Sequence, residues 1–264
     1  MIRTISAVDP AVDRAADLQA FYDSANDGDV LHVMPGLYPL SAPLDWTGKR
    51  VDVLQRGAVY QSISSRDGTP LMTFGARPRG RVYGVRMDGG TYNFGGLCLQ
   101  NISQSDHLVI ERVWKGCPGL VLRACGGGFT NNSCISAPGG LAHCDGAVQL
   151  DVSPDDASWL NVNWLKHTRI DSCERPYPVI SAPIEKLPHP IACFYCDDVG
   201  VECDDMILYD AGYIQSFWID CYFGFRKLDI GLVANPDSKI RFARPTPNMV
   251  SAPALQLPYV TIDR

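Results

Sequence analysis

Long hydrophobic runs are missing from this sequence of 264 residues. No uncharged stretch approaches the length of about 18 residues that a membrane-spanning helix needs. The N-terminal segment Met1–Pro10 also lacks the apolar run of a secretory signal peptide. We therefore expect a soluble chain that is made in the cytoplasm, carries no signal peptide and does not insert into a membrane.

Clusters of positive charge are also missing. The formal net charge is -6 at pH 7, and the Lys and Arg residues are dispersed along the chain. Nucleic-acid binding depends on concentrated positive charge that meets the phosphates. The sequence therefore argues against nucleic acid as a partner, and an acidic polysaccharide would have to be met by local basic groups.

Helical periodicity is scarce after residue 28. Before that point, Asp9 and Pro10 form a good helix start, because the carboxylate can accept orphan backbone N–H groups and proline lacks a donor that the first helical position does not use. Apolar residues between Leu18 and Ala25 recur at helical spacing. Because such a helix can cover the open end of a stack of strands, we assign residues 1–28 to an N-terminal arm and a capping helix.

Two segments after this helix follow in a characteristic order. Val30–Tyr38 contains a Pro-Gly-x-Tyr turn, and a few polar and small residues separate it from Val51–Ala58. This order resembles the opening of a right-handed parallel β-helix of the pectate-lyase-like superfamily. The resemblance implies an all-β fold, with the parallel β-helix over residues 29–234 behind the N-terminal capping helix. Residues 235–264 would form a C-terminal cap or a segment that contacts another subunit.

A repeat in the middle of the chain favours the same fold. The Gly-Leu-x-Leu segment Gly96–Leu99 recurs at Gly119–Leu122, 23 residues later, which is close to one turn of a parallel β-helix. Asparagines such as Asn101 suit the corners between the short strands, because asparagine tolerates left-handed backbone. A β-sandwich or jelly roll, which also has many short strands, is the alternative.

The chain contains ten cysteines. A disulfide scaffold is typical of short secreted chains, so we expect mostly free thiols here, several of them acting as small buried apolar residues. One Cys-x-x-Cys pair could contribute to a zinc site, with the candidate ligands His189, Cys193, Cys196 and Cys203. Structural zinc sites usually combine two such pairs and only one is present, so we predict no metal and no cofactor.

Most motifs of the polysaccharide hydrolases on this fold are missing. Those enzymes resemble one another in carrying Asn-Thr-Asp, Asp-Asp, Gly-His-Gly and Arg-x-Lys motifs, and only Asp-Asp doublets are present here. A glycosidase needs two carboxyls held several ångströms apart. If the protein is an enzyme, the candidate catalytic residues are Asp197, Asp198, Asp204 and Asp205. The same segment could instead supply oxygen ligands for calcium, and polar residues at coil corners are the commoner explanation.

The aromatic and basic residues support binding better than cleavage. A lyase of the kind this fold resembles would use a basic residue beside a uronate carboxyl, and no local pattern singles out one among Arg81, Arg86, Arg112 and Lys115. An exposed aromatic ring offers an apolar platform for a sugar face, although core filling accounts for most aromatic residues. The candidate ligand-binding residues are Trp114, Trp159, Trp164, Arg112 and Lys115.

Two functions are compatible with these expectations. In the first, the chain is similar to the β-helical spike and fibre proteins of tailed phages and gene transfer agents, which attach the particle to bacterial surface polysaccharide. That resemblance implies a virion location, a parallel homotrimer and other virion structural proteins as partners. In the second, the chain is a polysaccharide depolymerase, either a hydrolase or a lyase, which uses the acidic segment. An enzyme is the less favoured interpretation.

Overall fold

The chain folds into short β-strands with one helix near its N-terminus, helix α1, which spans Ala15–Asp23. Within the described residues, no helix has the length and apolar character needed to cross a membrane. The computed structural model describes residues 1–64, 69–75, 81–88, 95–100, 102, 104–124, 128–130, 135–136, 141–152, 158–160, 163–171, 180–182, 194–202, 206–210, 216–223, 229–233, 239–243 and 260–263.

The strands are short in the first coils and longer in the middle of the chain. The first strands are β1 (Ile2–Ile5), β2 (Val30–Val33), β3 (Gly36–Leu40), β4 (Leu44–Trp46), β5 (Asp52–Leu54), β6 (Ala58–Ser62), β7 (Pro70–Gly75), β8 (Arg81–Tyr83), β9 (Arg86–Asp88), β10 (Gly95–Gln100), β11 (Gln104–Asp106) and β12 (Val109–Ala124). The later strands are β13 (Gly128–Thr130), β14 (Ile135–Ser136), β15 (Leu141–Val152), β16 (Ser158–Leu160), β17 (Asn163–Asp171), β18 (Ile180–Ala182), β19 (Phe194–Glu202), β20 (Met206–Asp210), β21 (Ser216–Phe223), β22 (Asp229–Val233), β23 (Lys239–Ala243) and β24 (Val260–Asp263).

Every strand pairing among the described residues is parallel, and all the pairs except β13 with β16 form three ladders. Ladder A contains β1, β2, β5, β8, β11, β14, the first parts of β17, β19 and β21, and β23 and β24. Ladder B contains β3, β6, β9, the first parts of β12 and β15, and the second parts of β17, β19 and β21. Ladder C contains β4, β7, β10, the second parts of β12 and β15, and β18, β20 and β22.

The early strands enter ladders A, B and C in turn, so the chain winds as a coil. This is a right-handed parallel β-helix, and it confirms the predicted fold class. The sandwich alternative is wrong, because sandwiches and jelly rolls are built from antiparallel pairs. Strand β1, within residues 1–28, already pairs with β2 in ladder A, and residues 235–264 contribute β23 and β24 to the same ladder.

The sequence repeat corresponds to one turn of the coil. Leu97 pairs with Leu120 in the neighbouring coil, and the leucine two residues farther along each strand pairs in the same way. These leucines are buried. A side chain on Gly96 would overlap the carbonyl group of Gly119, so the glycine of the repeat allows the two backbones to stack. Cys98, between the leucines, is buried, as expected for a cysteine that serves as a small apolar residue.

The helix begins at Ala15, later than the predicted start at Pro10. The Asp9 carboxylate accepts the N–H of Ala11 within a turn. The N-cap residue is Arg14, whose side chain makes no capping bond, and the Asp13 carboxylate just before it accepts the N–H groups of Ala15 at 3.1 Å and Ser41 at 3.0 Å. The tie to Ser41 fixes the helix start against the coil.

Helix α1 covers the first strand of ladder C. The Gln19 side chain donates to the carbonyl of Asp45 at 2.8 Å and accepts the N–H of the same residue at 3.0 Å. A neighbouring strand would offer the same donor and acceptor to β4. The ring of Tyr22 stacks on Trp46 at 5.5 Å, and the edge of Trp46 meets Phe74. The helix therefore closes both the backbone edge and the apolar interior.

Side chains from the helix and the coil cap each other's polar groups. The Tyr22 hydroxyl donates to the carbonyl of Thr47, and burial raises the pKa of Tyr22 to about 12, so this donor stays protonated. The Lys49 ammonium donates to the carbonyls of Tyr22 at 3.1 Å and Ala25 at 2.9 Å. A cation is favoured at a helix C-terminus, where carbonyls lack partners.

The corner between ladders A and B is wide in the early coils. Four residues, 55–58, lie between Leu54 and Val59, and four residues, 33–36, lie between the register-equivalent positions His32 and Leu37 one coil earlier. We call these four-residue connections wide corners. The side chain of Gln55 is buried inside its corner.

The corner is narrow in the next two coils. Only two residues, 84–85, lie between the equivalent positions Tyr83 and Arg86, and only two, 107–108, lie between Asp106 and Val109. We call these connections narrow corners. Gly84 and His107, the first residue of each, have φ values of 78° and 56°. The left-handed conformation turns the chain sharply, and it is unfavourable for a residue with a Cβ atom.

The buried residue that follows each corner changes with its width. Tyr38 and Tyr60 pair in register after the wide corners, and Met87 and Ile110 occupy the same register position after the narrow ones. The Tyr38 hydroxyl donates to a backbone carbonyl of its own corner at 2.8 Å, and the Tyr60 hydroxyl donates to the side-chain oxygen of Gln55. Burial holds the pKa of Tyr60 well above its usual range, so this donor is protonated.

Candidate functional site

The outer face of ladder A presents a column of polar and apolar side chains. Successive residues of a strand point to opposite sides, and the burial of Leu31 and Val53 identifies the inner side. His32, Leu54 and Tyr83 lie one position farther along and pair in register on β2, β5 and β8. These three side chains therefore stand side by side on the outer face.

A groove opens where this column meets the wide corner. It has a volume of about 410 Å³ and is lined by His32, Leu54, Arg56 and Tyr83. Leu54 is 39% exposed, which is unusual for a large apolar side chain in the described part of this chain. Arg56 is exposed and forms no ion pair with any carboxylate that the structure describes. We call this the Arg56 groove.

A second groove of about 550 Å³ lies at the other end of the same strands. Its acidic side chains accept backbone N–H groups from the next coil: Asp27 from Arg50 at 2.9 Å, and Asp52 from Arg81 at 3.0 Å. Asp29 also lines it, and hydrogen bonds from the Asn26 N–H and the Arg3 guanidinium lower the pKa of Asp29. These carboxylates hold the coils together and balance the nearby arginines.

A third group of residues lies farther along ladder A, on β17, β19 and β21. The Lys166 ammonium is 3.6 Å from the Asp197 carboxylate, and both side chains are partly exposed. Two positions earlier on the same strands, Trp164 pairs in register with Tyr195, and Tyr195 with Trp218. The structure therefore brings two predicted site residues, Trp164 and Asp197, onto adjacent strands.

Asp220 is a candidate that the sequence reasoning missed. It pairs in register with Asp197, on the next strand of ladder A. A signal was present, because Phe194–Asp197 and Phe217–Asp220 share the pattern Phe-aromatic-x-Asp with the 23-residue interval of the Gly-Leu-x-Leu repeat.

The other predicted carboxylates divide into two groups. Asp198 lies in strand β19 next to Asp197. Asp204 and Asp205 lie outside the described residues. The pair that ladder A brings to one register position is therefore Asp197 and Asp220.

The remaining predicted ligand-binding residues are not gathered with Trp164. Trp114 and Lys115 lie in β12, where the register with β15 shifts between Val113 and Pro118. Trp159 lies in β16, which pairs with β13 in a separate two-stranded sheet.

Arg112 is committed to an ion pair. It lies in ladder B with a φ value of 60°, and its guanidinium donates to both oxygens of the Asp88 carboxylate, with Nε at 2.7 Å. This hydrogen bonding raises the pKa of Arg112. A bidentate pair of this kind links two neighbouring coils, so the Arg112 side chain has a structural role.

The four residues considered as candidate zinc ligands are only partly described. His189, Cys193 and Cys203 lie outside the described residues, and Cys196 lies in β19. Within the described part of the chain, no group of three or more His, Cys, Asp or Glu residues is arranged to hold a metal ion.

Comparison with known proteins gives no match. No family model matches this chain, and neither a curated protein nor a solved structure matches it.

Proposed function

We propose that this protein is a virion spike or fibre that attaches a phage or phage-like particle to bacterial surface polysaccharide. The outer face of ladder A would be the binding surface. The observation that carries the proposal is the register of Trp164, Tyr195 and Trp218 on three successive strands, beside the ion pair of Lys166 and Asp197.

A repeating surface suits a repeating ligand. Adjacent strands lie about 4.8 Å apart, so β17, β19 and β21 present an aromatic position once per coil over three coils. Aromatic rings bury the apolar faces of sugars, and charged groups beside them can bind hydroxyls. A polysaccharide chain that lies along ladder A would therefore meet similar contacts at successive sugar units.

The virion location and the homotrimer rest on the resemblance to β-helical spikes and fibres. The outer faces of such coils bury aromatic residues where three copies pack in parallel. We propose the same assembly here, with other virion structural proteins as the attachment partners. Sedimentation equilibrium of the purified chain should give three times the monomer mass of 28.9 kDa. A monomer at micromolar concentration would contradict this assembly.

A polysaccharide depolymerase is the second candidate, and the register of Asp197 with Asp220 favours it. Retaining glycosidases hold two carboxyls about 5 to 5.5 Å apart, and residues in register on adjacent strands are separated by about 4.8 Å at the backbone. Attachment without cleavage is the better supported function, because Lys166 lies beside the Asp197 carboxylate and the hydrolase motifs are missing from the sequence.

The test is to incubate the full chain with capsular and O-antigen polysaccharides and to measure binding and reducing-end or unsaturated-uronate release separately. We expect binding without release. Tyr195→Ala should weaken binding at least tenfold, and Phe21→Ala, on helix α1, is the control that should leave it unchanged. Thermal unfolding of both variants verifies that they fold.

The outcomes separate the candidates. Release that Asp197→Asn or Asp220→Asn abolishes, with binding retained, would replace attachment by depolymerisation. A wild-type chain that binds none of the polysaccharides would overturn both.

A further inference from the structure

We infer that the Arg56 groove is a separate saccharide site that selects a sugar bearing a carboxylate. The inference rests on the proposed function, because it names the class of polysaccharide that the outer face of ladder A would take. It concerns the early coils, whereas the aromatic register of Trp164, Tyr195 and Trp218 lies in later ones.

The groove must bind its ligand through side chains. Strand β5 forms its floor and pairs with β2 on one side and β8 on the other. The backbone N–H and C=O groups of a strand between two neighbours are used within the ladder. A peptide therefore cannot add to this face as a further strand, which is the common way for a sheet to bind an extended chain.

The floor and walls of the groove suit the flat apolar face of a sugar ring. Leu54 is exposed between His32 and Tyr83, which lie in register on the strands to either side. Two strand spacings separate these two rings by about 10 Å. An exposed leucine flanked by two amphipathic rings combines apolar contact with polar ring atoms, as saccharide binding requires.

The positive charge of Arg56 favours an anionic ligand in the groove. Arg56 lines it, and none of the lining residues that the structure describes is acidic. The Asp106 carboxylate, in register with Tyr83 on the next strand, accepts the N–H of His107 at 3.0 Å, and Asp27 and Asp52 in the neighbouring groove accept backbone N–H groups of the next coil. A guanidinium binds a carboxylate through two parallel hydrogen bonds. A single arginine matches a monoanionic carboxylate better than a phosphate, which is typically met by several basic groups.

The wide corner presents Arg56 to the groove. Arg56 lies between the buried Gln55 and Gly57, whose φ value is 80°. The narrow corner of the next coil packs against it, since a Cβ atom on Gly84 would lie 3.1 Å from the Arg56 nitrogen. On the other side, the Gly57 carbonyl accepts the N–H of Gly36 in the preceding coil at 3.0 Å. The backbone that carries the guanidinium is therefore held on both sides, which favours a pre-formed site.

The test uses the full chain, a hexuronate oligosaccharide and the same oligosaccharide with its carboxyls reduced to alcohols. Isothermal titration calorimetry should show at least tenfold tighter binding of the acidic form. Arg56→Gln should abolish this preference, and Arg56→Lys should restore part of it. Arg50→Gln, in the neighbouring groove, is the matched control that should keep the full preference. Tyr83→Ala should weaken the binding of both forms.

Three results would overturn the inference. They are equal binding of the two forms by the wild type, equal loss of preference in the Arg56→Gln and Arg50→Gln variants, and an unchanged preference in Arg56→Gln. A phosphorylated oligosaccharide that binds more tightly than the hexuronate would also overturn the choice of carboxylate. None of these results concerns the capsule binding that Tyr195→Ala should weaken. The proposed function can therefore stand when this inference fails.

Discussion

The early coils of this β-helix and the coils that follow them turn the same corner in different ways. Four residues form each wide corner and two form each narrow corner. The buried residue after the corner changes in step, from Tyr38 and Tyr60 to Met87 and Ile110. Corner length and interior side chains are therefore matched, because a coil with a longer perimeter leaves more interior space to fill.

The match extends to polar groups. A wide corner brings a side chain such as Gln55 into the interior, and the Tyr60 hydroxyl supplies its oxygen with a donor. A buried polar group without a partner is costly. A narrow corner contains one left-handed residue, such as His107, at the surface. Because it is shorter, it has fewer backbone polar groups that need hydrogen-bond partners. The same difference places Arg56 beside the outer face of ladder A.

Removal of the wide-corner tyrosine should have the largest effect. Tyr60→Ala leaves a cavity and takes away the hydrogen-bond partner of Gln55, so we expect a loss of about 3–5 kcal/mol in the free energy of unfolding. Urea denaturation followed by circular dichroism measures it. A loss below about 1 kcal/mol would mean that the interior does not depend on this side chain.

The reverse substitution tests the narrow coils. Met87→Tyr places a tyrosine in a coil whose corner is two residues shorter, so the interior has less room for it. We expect overpacking to lower the free energy of unfolding by about 1–3 kcal/mol. Urea denaturation again gives the value, and Met87→Leu, of similar volume, is the control. A tyrosine accepted without loss would refute the link between corner length and interior volume.

The helix distinguishes the early coils further, because it packs on β4, the first strand of ladder C, and depends on Lys49. Lys49→Met removes the donor to the last helical carbonyls, so we expect a loss of about 1–2 kcal/mol in the free energy of unfolding. Lys49→Arg, which keeps a cation, should lose less. Equal losses in the two variants would argue that stem packing, and not the charge, stabilises the helix end.

The smallest effect is expected at the narrow corner itself. His107→Gly relieves a left-handed residue of its Cβ atom, so the variant should be as stable as the wild type or more stable by up to about 1 kcal/mol. Gly84→Ala, at the equivalent position one coil earlier, should have the opposite sign. Thermal unfolding of both variants gives the comparison, and a destabilised His107→Gly would indicate that the histidine side chain is needed.

Sequence reasoning was sufficient for the architecture because the architecture is periodic. The Gly-Leu-x-Leu repeat became the register of Leu97 with Leu120. It was insufficient for the corners, because His107, Arg112 and His167 are left-handed in the described part of the chain, whereas Asn101, which was expected at a corner, lies outside that part. Corner conformation depends on the coil above and below as much as on the local residues.

The candidate site could be predicted only in part, for the same reason. Trp164 and Asp197 were predicted separately, and only the strand register shows that they lie on neighbouring strands. Asp220 escaped attention because no doublet marks it. The Arg56 groove combines residues from three coils, so no local sequence motif predicts it.

The bonds between Gln19 and Asp45 bear on the length of the molecule. A stack of coils is in principle an endless polymer, since each open strand edge is a template for the next strand. One amide side chain occupies the donor and the acceptor of β4 that another chain would need. Helix α1 thus blocks the addition of a further strand at this edge of ladder C. It prevents the stack of coils from growing into a fibre at this edge.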